Sequence, residues 1–162
     1  MRKSIIIAAV SALGILGASG TAFAAGTPVH ATVQVATTLT LSGINPNVAF
    51  GIVIPGTTST VTGAQSPHVV TNSSRGANIV VTPQNGGFHI ATGQPDIIPD
   101  SAVSVTTTGQ GTVSLLNGSP VTVAVAGMGD NTYTQDWSIH PDSATPAGDS
   151  LFADFEYAAI AI

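Results

Sequence analysis

The chain of 162 residues contains no cysteine. Disulfides, thiolate metal centres and lipid attachment at an N-terminal cysteine are excluded, so the core alone must stabilise the fold. Charge is almost as scarce: charged residues are 7% of the sequence, 3 Lys and Arg against 8 Asp and Glu. Arg2 and Lys3 stand at the extreme N-terminus, which leaves Arg75 as the one later cation facing Asp96, Asp100, Asp130, Asp136, Asp142, Asp149, Asp154 and Glu156. Nucleic-acid binding depends on Lys and Arg neutralising phosphates, so nucleic acid is excluded as a partner. Attraction to anionic lipid fails on the same ground. Past the N-terminal segment no long apolar run occurs, while Thr and Ser recur throughout. Low charge here means a neutral polar surface, and no membrane-spanning part is expected in the body of the chain.

The N-terminus reads as an export signal. Arg2 and Lys3 form a positive start, Ile5 to Leu16 supply an apolar stretch, and Ala22-Phe23-Ala24 fits a signal-peptidase site. A helical membrane anchor would need about 20 apolar residues, and Gly14, Gly17 and Gly20 interrupt this run. The expectation is a cleaved signal peptide over 1–24, with Ala25 as the alternative last residue, followed by one domain over 25–162 in a secreted, extracellular setting. No LPxTG-like sorting signal is present and no apolar C-terminal tail precedes basic residues, so attachment to a cell is expected to be non-covalent.

Beyond that segment the apolar residues alternate with period two, and no helical period competes. Val29, Ala31, Val33, Val35, Leu39 and Leu41 take odd positions, while His30, Thr32, Gln34, Thr38 and Thr40 take even ones. This predicts a long strand over 29–41 with one face inward. A strand over 47–54 is predicted with Val48, Phe50, Ile52 and Ile54 inward. Further strands are predicted over 57–62, 68–72, 78–82, 88–91, 102–107, 112–116, 121–126, 133–140 and 151–162. Turn clusters such as Asn85-Gly86-Gly87, Asn117-Gly118-Ser119-Pro120 and Pro146-Ala147-Gly148 separate them. Short strands so punctuated specify an all-β domain, a single antiparallel β-sandwich rather than a barrel, with almost no helix. Tyr133, Trp137 and Ile139 share one strand face, as do Leu151, Ala153, Phe155 and Tyr157. The two runs are expected to pair antiparallel, with Trp137 at the centre of the core.

Three stretches carry a family resemblance. Leu39-Thr40-Leu41-Ser42-Gly43, Val48-Ala49-Phe50-Gly51 and Pro55-Gly56-Thr57 resemble the opening LxLS…FGxxxPGT of WxL-like bacterial surface β-domains. Val70-Thr71-Asn72 through Val81-Thr82 is similar to their TNxxxGxxVxVT hairpin, and Tyr133 through Tyr157, with Pro141, Pro146 and Gly148, is similar to their closing hairpin. The Trp-x-Leu tripeptide itself is absent, since Ser138 and Ile139 follow Trp137. The resemblance implies an extracellular, Ig-like fold with a structural or adhesive role at the cell surface or cell wall, in contact with other envelope components. It brings no catalytic residue.

The residues themselves point the same way. His30, His68, His89 and His140 are scattered, with no spacing typical of zinc or copper ligands. No Gly-x-Ser-x-Gly elbow accompanies the many serines, and the acids fall mostly at turns, where capping explains them. No catalytic, cofactor-binding or metal residue is therefore expected, and the chain is read as no enzyme. Weak calcium binding by loop oxygens is the least unfavourable cofactor reading, at Asp142 and Asp149 around 143–148 and at Asp130 beside 127–131. The sequons at Asn72 and Asn117 are read as chance matches. The run over 29–41 is long, β-branched and uncharged, without the lysine or proline that guards an edge strand. It is either internal or donated to a neighbour, which opens self-association through strand 29–41 into a filament or coat. The alternative is a monomeric binding module for a cell-wall polymer or small ligand.

Overall fold

A computed structural model describes residues 32–90, 96–146 and 150–162. The proposed signal peptide, its helix and the first residues of the 29–41 run lie outside the described residues. The chain is all-β, and a single 3-10 turn at Asp100–Ala102 is the only helical element among the described residues. Among the described residues ten strands form three antiparallel sheets. They are β1 (Leu39–Ser42), β2 (Ser59–Gln65), β3 (His68–Thr71), β4 (Ala77–His89), β5 (Val103–Thr107), β6 (Gly111–Ser114), β7 (Val121–Ala126), β8 (Gly129–Thr132), β9 (Gln135–Ile139) and β10 (Phe152–Ala161). The sheets run β1-β3-β8, β10-β4-β7 and β2-β9-β5-β6.

The second and third sheets face each other across the core. Period-two burial in β5 and β9 places Val103, Val105, Trp137 and Ile139 inward, each essentially without exposure. From the opposite side β4 contributes Ile79 and Val81, and β10 brings Phe155 edge-on to Trp137 with ring centroids 5.0 Å apart. Trp137 is thus central to the core, and truncating a side chain so placed typically costs about 3–5 kcal/mol. The expected pairing of the two closing runs is not found. β9 lies between β2 and β5, whereas β10 pairs β4 over Phe152↔His89 to Ala161↔Ala77. Both runs do turn their aromatics inward, but from opposite walls, and that opposition is what lets the rings interlock.

Three further expectations are corrected. Among the described residues of the 29–41 run only Leu39–Leu41 lie in a strand, β1, which ends at Ser42, and 32–38 belongs to none. Its partner β3 has four residues, and past Thr71 the chain turns with Gly76 N–H bonding the Ser73 carbonyl. Asn72 substitutes for a ladder by accepting from Thr38 N–H at 2.7 Å and donating to the Ala36 carbonyl at 2.8 Å. The 47–54 strand is absent as well. Gly51 sits at φ 69°, which breaks the pleat and shifts the parity, so Val48, Phe50 and Val53 turn inward while Ile52 and Ile54 are 96% and 63% exposed. Finally, Asn85-Gly86-Gly87 is no turn but part of the thirteen-residue β4. A Cβ on Gly86 would lie 2.7 Å from the Asp96 carboxylate, and one on Gly87 would strike the Ile98 carbonyl, so these glycines admit a close backbone neighbour.

Candidate functional site

Residues of the segment 44–50 and of 151–157 at the start of β10 together line a cleft of about 380 Å³. Phe50, Phe88, Trp137, Phe155 and Tyr157 are among its lining residues, the Phe50 ring 6.1 Å from that of Phe88 and steeply inclined to it. The covering segment is fixed by polar contacts rather than by a ladder. Asn45 N–H donates to Gln65 Oε1 at 2.7 Å, and Gln65 Nε2 donates to the Asn45 carbonyl at 2.8 Å. The Asn45 side chain accepts from Asn47 N–H, an Asx turn, and the Ser59 hydroxyl holds the Phe50 carbonyl.

A chain of hydrogen bonds that starts from two of these lining residues joins the two facing sheets. Trp137 Nε1–H donates to the Tyr157 hydroxyl at 3.2 Å, which donates to Gln135 Oε1 at 2.6 Å. Gln135 Nε2 donates to Thr107 Oγ1 at 3.0 Å, and that hydroxyl donates to the Val123 carbonyl at 2.7 Å. Burial pushes the Tyr157 phenol above its usual pKa, so it stays neutral and keeps its proton for Gln135. Each polar group in the relay is committed to the fold.

The described histidines lie apart. His140 bonds the Thr58 hydroxyl at 3.0 Å, and with Asp142 it borders a second, open hollow. His68 sits between Ser42 and Asp130 on the β1-β3-β8 sheet. Because a carboxylate accepts, Nε2–H donates to Asp130 at 2.6 Å, and Nδ1 accepts from the Ser42 hydroxyl at 3.1 Å. This Ser-His-acid order was not foreseen from sequence, where the three residues are remote and no nucleophile motif marks Ser42. The register Ser42↔His68 and His68↔Thr132, with Asp130 diagonal, brings them together. Asp130 is 72% exposed in its side chain, and none of the three borders either hollow.

His89 and Asp100 are fully buried. His89 Nδ1–H donates to the Gly87 carbonyl at 2.9 Å, which makes Nε2 an acceptor; among the described residues neither it nor either Asp100 oxygen has a hydrogen-bond partner. Burial and the nearby Asp96 charge push the Asp100 pKa up to about 6, against the pull of the Gly118 main chain and of His89. Among the described residues no group of three His, Cys, Asp or Glu side chains could hold a metal.

Of the calcium-candidate residues, Asp142 caps a turn by accepting from Ala144 N–H at 2.8 Å, Asp130 is engaged by His68, and Asp149 lies outside the described residues. No helix among the described residues is long and apolar enough to cross a membrane.

Comparison with protein-family models, with curated proteins and with solved structures finds no match to this chain.

Proposed function

We propose that the chain is an exported, non-catalytic structural or adhesive component of a cell envelope, an Ig-like β-sandwich domain of the WxL-like kind that packs with copies of itself into a filament or coat. The observation that carries this reading is the state of 32–38. This segment is uncharged and outside any ladder, and it holds Val33 and Val35 out at 89% and 75% exposure. Exposed apolar side chains close together on a segment outside any strand suit a surface that a partner covers. The scarcity of charge supports the same reading, because closely packed copies repel each other little. Fractionation of cells expressing a tagged form tests it: the protein should be found at the surface or in the medium, beginning at Ala25 or Gly26. Intact protein retained in the cytosol would overturn it.

A second reading draws on the aromatic lining of the cleft, whose volume lies in the range of about 300–1,000 Å³ usual for ligand sites. In that case the domain binds a cell-wall polymer or small ligand as a monomer. The sequence has one tryptophan, Trp137, and it lines the cleft. A saturable change in its fluorescence on adding cell-wall fragments favours this second reading.

A further inference from the structure

We infer that the cleft between 44–50 and the start of β10 binds a quaternary ammonium group, held by its aromatic rings and by the charge of Asp154. The inference rests on the second reading above, that this cleft takes a ligand, and names the chemical class of that ligand.

The lining is rich in rings that stand steeply to one another. Phe50 lies at 70° to Phe88, Phe88 at 57° to Phe155, and Phe155 at 73° to Trp137, with centroids 6.1, 6.1 and 5.0 Å apart. Rings so inclined border a space from different directions, where a flat stack offers one face. Phe50, Phe155 and Tyr157 are only half-buried, so solvent reaches part of each. The face of an aromatic ring carries the negative part of its quadrupole and attracts a cation within about 6 Å.

Charge selects the sign of the ligand. Asp154 is exposed in the lining, and no Lys, Arg or His stands among the described residues that line the cleft. Arg75 precedes Ala77, at the other end of β4 from Phe88. An anion placed in the cleft would meet a carboxylate with no cation to offset it, whereas a cation is attracted both by the rings and by Asp154.

Hydrogen bonding narrows the class. The polar groups set deepest in the lining are already engaged: Gln65 with the Asn45 main chain, Trp137 Nε1–H with the Tyr157 hydroxyl, and that hydroxyl with Gln135. Sugar hydroxyls or a primary ammonium pressed against them would give up water without gaining a partner. A quaternary ammonium has neither donor nor acceptor to satisfy, and its methyl groups pack on the apolar lining as hydrocarbon does.

Trp137 is the one tryptophan and lines the cleft, so its fluorescence reports occupancy. The protein is titrated with choline and with dimethylbutanol, in which carbon replaces the charged nitrogen, at matched ionic strength. A saturable change with choline is expected, at an affinity about tenfold above that for dimethylbutanol, because the cation–π attraction adds to the apolar contact both share. Equal affinities would overturn the inference and mean that the cleft ignores charge. Asp154→Asn should weaken choline binding about threefold and leave dimethylbutanol unaffected. Phe50→Leu keeps apolar bulk on a segment outside any strand but removes one ring, and should weaken choline about threefold or more. Unchanged choline affinity in both variants, each shown to be folded by circular dichroism, also overturns the inference. The two claims fail separately: a saturable change with cell-wall fragments but none with choline would defeat the ammonium class and leave the second reading standing.

Discussion

Replacing Tyr157 by Phe removes one hydroxyl from the relay between the two facing sheets and leaves the ring in place. Trp137 Nε1–H then loses its acceptor and Gln135 Oε1 its donor, in side chains that are 1% and 0% exposed. A buried group left unsatisfied costs about 1–3 kcal/mol, and loss of the hydroxyl's own desolvation offsets part of the pair, which puts the net near 2–4 kcal/mol. For a domain of this size about 4 °C of Tm follows each kcal/mol, so thermal unfolding by circular dichroism should shift down by roughly 10 °C. Coupling should show in a double-mutant cycle. Once Gln135→Met has removed the acceptor, Tyr157→Phe should cost about 1–2 kcal/mol less than it does alone. A drop below about 2 °C, or fully additive variants, would refute the reasoning and mean that water entering from the cleft replaces the hydroxyl.

Asp100 makes stability depend on pH in the direction opposite to most carboxylates. Its pKa is raised from 3.8 to about 6 in the fold, so between those values the folded chain holds a proton that the unfolded chain has released. Stability from this group is full below the lower value and falls as pH rises through the upper one, by about 1–3 kcal/mol. Urea unfolding at pH 4.5 and 7 should show that component in the wild type and lose it in Asp100→Asn; an equal pH response in both would contradict the assignment. Gly76 has φ 88°, and an added Cβ would press on the Ala126 carbonyl oxygen. Gly76→Ala should therefore lower Tm more than any exposed substitution, and a Tm equal to wild type would show the turn to be misread. Ser42, His68 and Asp130 form an exposed cross-strand chain bordering neither hollow. A fluorophosphonate probe should leave Ser42 unlabelled, and labelling lost in His68→Ala would make it a nucleophile instead.

Much of the fold was legible because burial on one face enforces period two. The strand at Val121–Ala126 stands where its apolar alternation puts it, and Trp137 lies at the core its strand face predicts. Partnerships were not legible. Trp137 and Phe155 each advertise an inward face, but the pattern is the same whether two strands are neighbours in one sheet or oppose each other across the core. Glycines misled in two ways. Gly51 reversed the parity of its run through a positive φ, and Gly86-Gly87, read as a turn, instead let the chain at 96–98 approach β4. β8 escaped notice because Gly129, Asp130, Asn131 and Thr132 have turn composition and take their strand geometry from β3. The cleft was invisible in sequence, since it arises where the irregular segment 44–50 meets residues remote from it at 151–157. Of the 29–41 run, the alternation was realised as a strand only from Leu39, where β3 supplies the partner.

The central claim is that this domain packs with copies of itself, and sedimentation of the exported protein over a wide concentration range, with negative-stain microscopy of the same samples, tests it most directly. The account calls for concentration-dependent assemblies with a regular repeat. A single monomeric species at the highest attainable concentration, with no ordered particles on the grid, would contradict it.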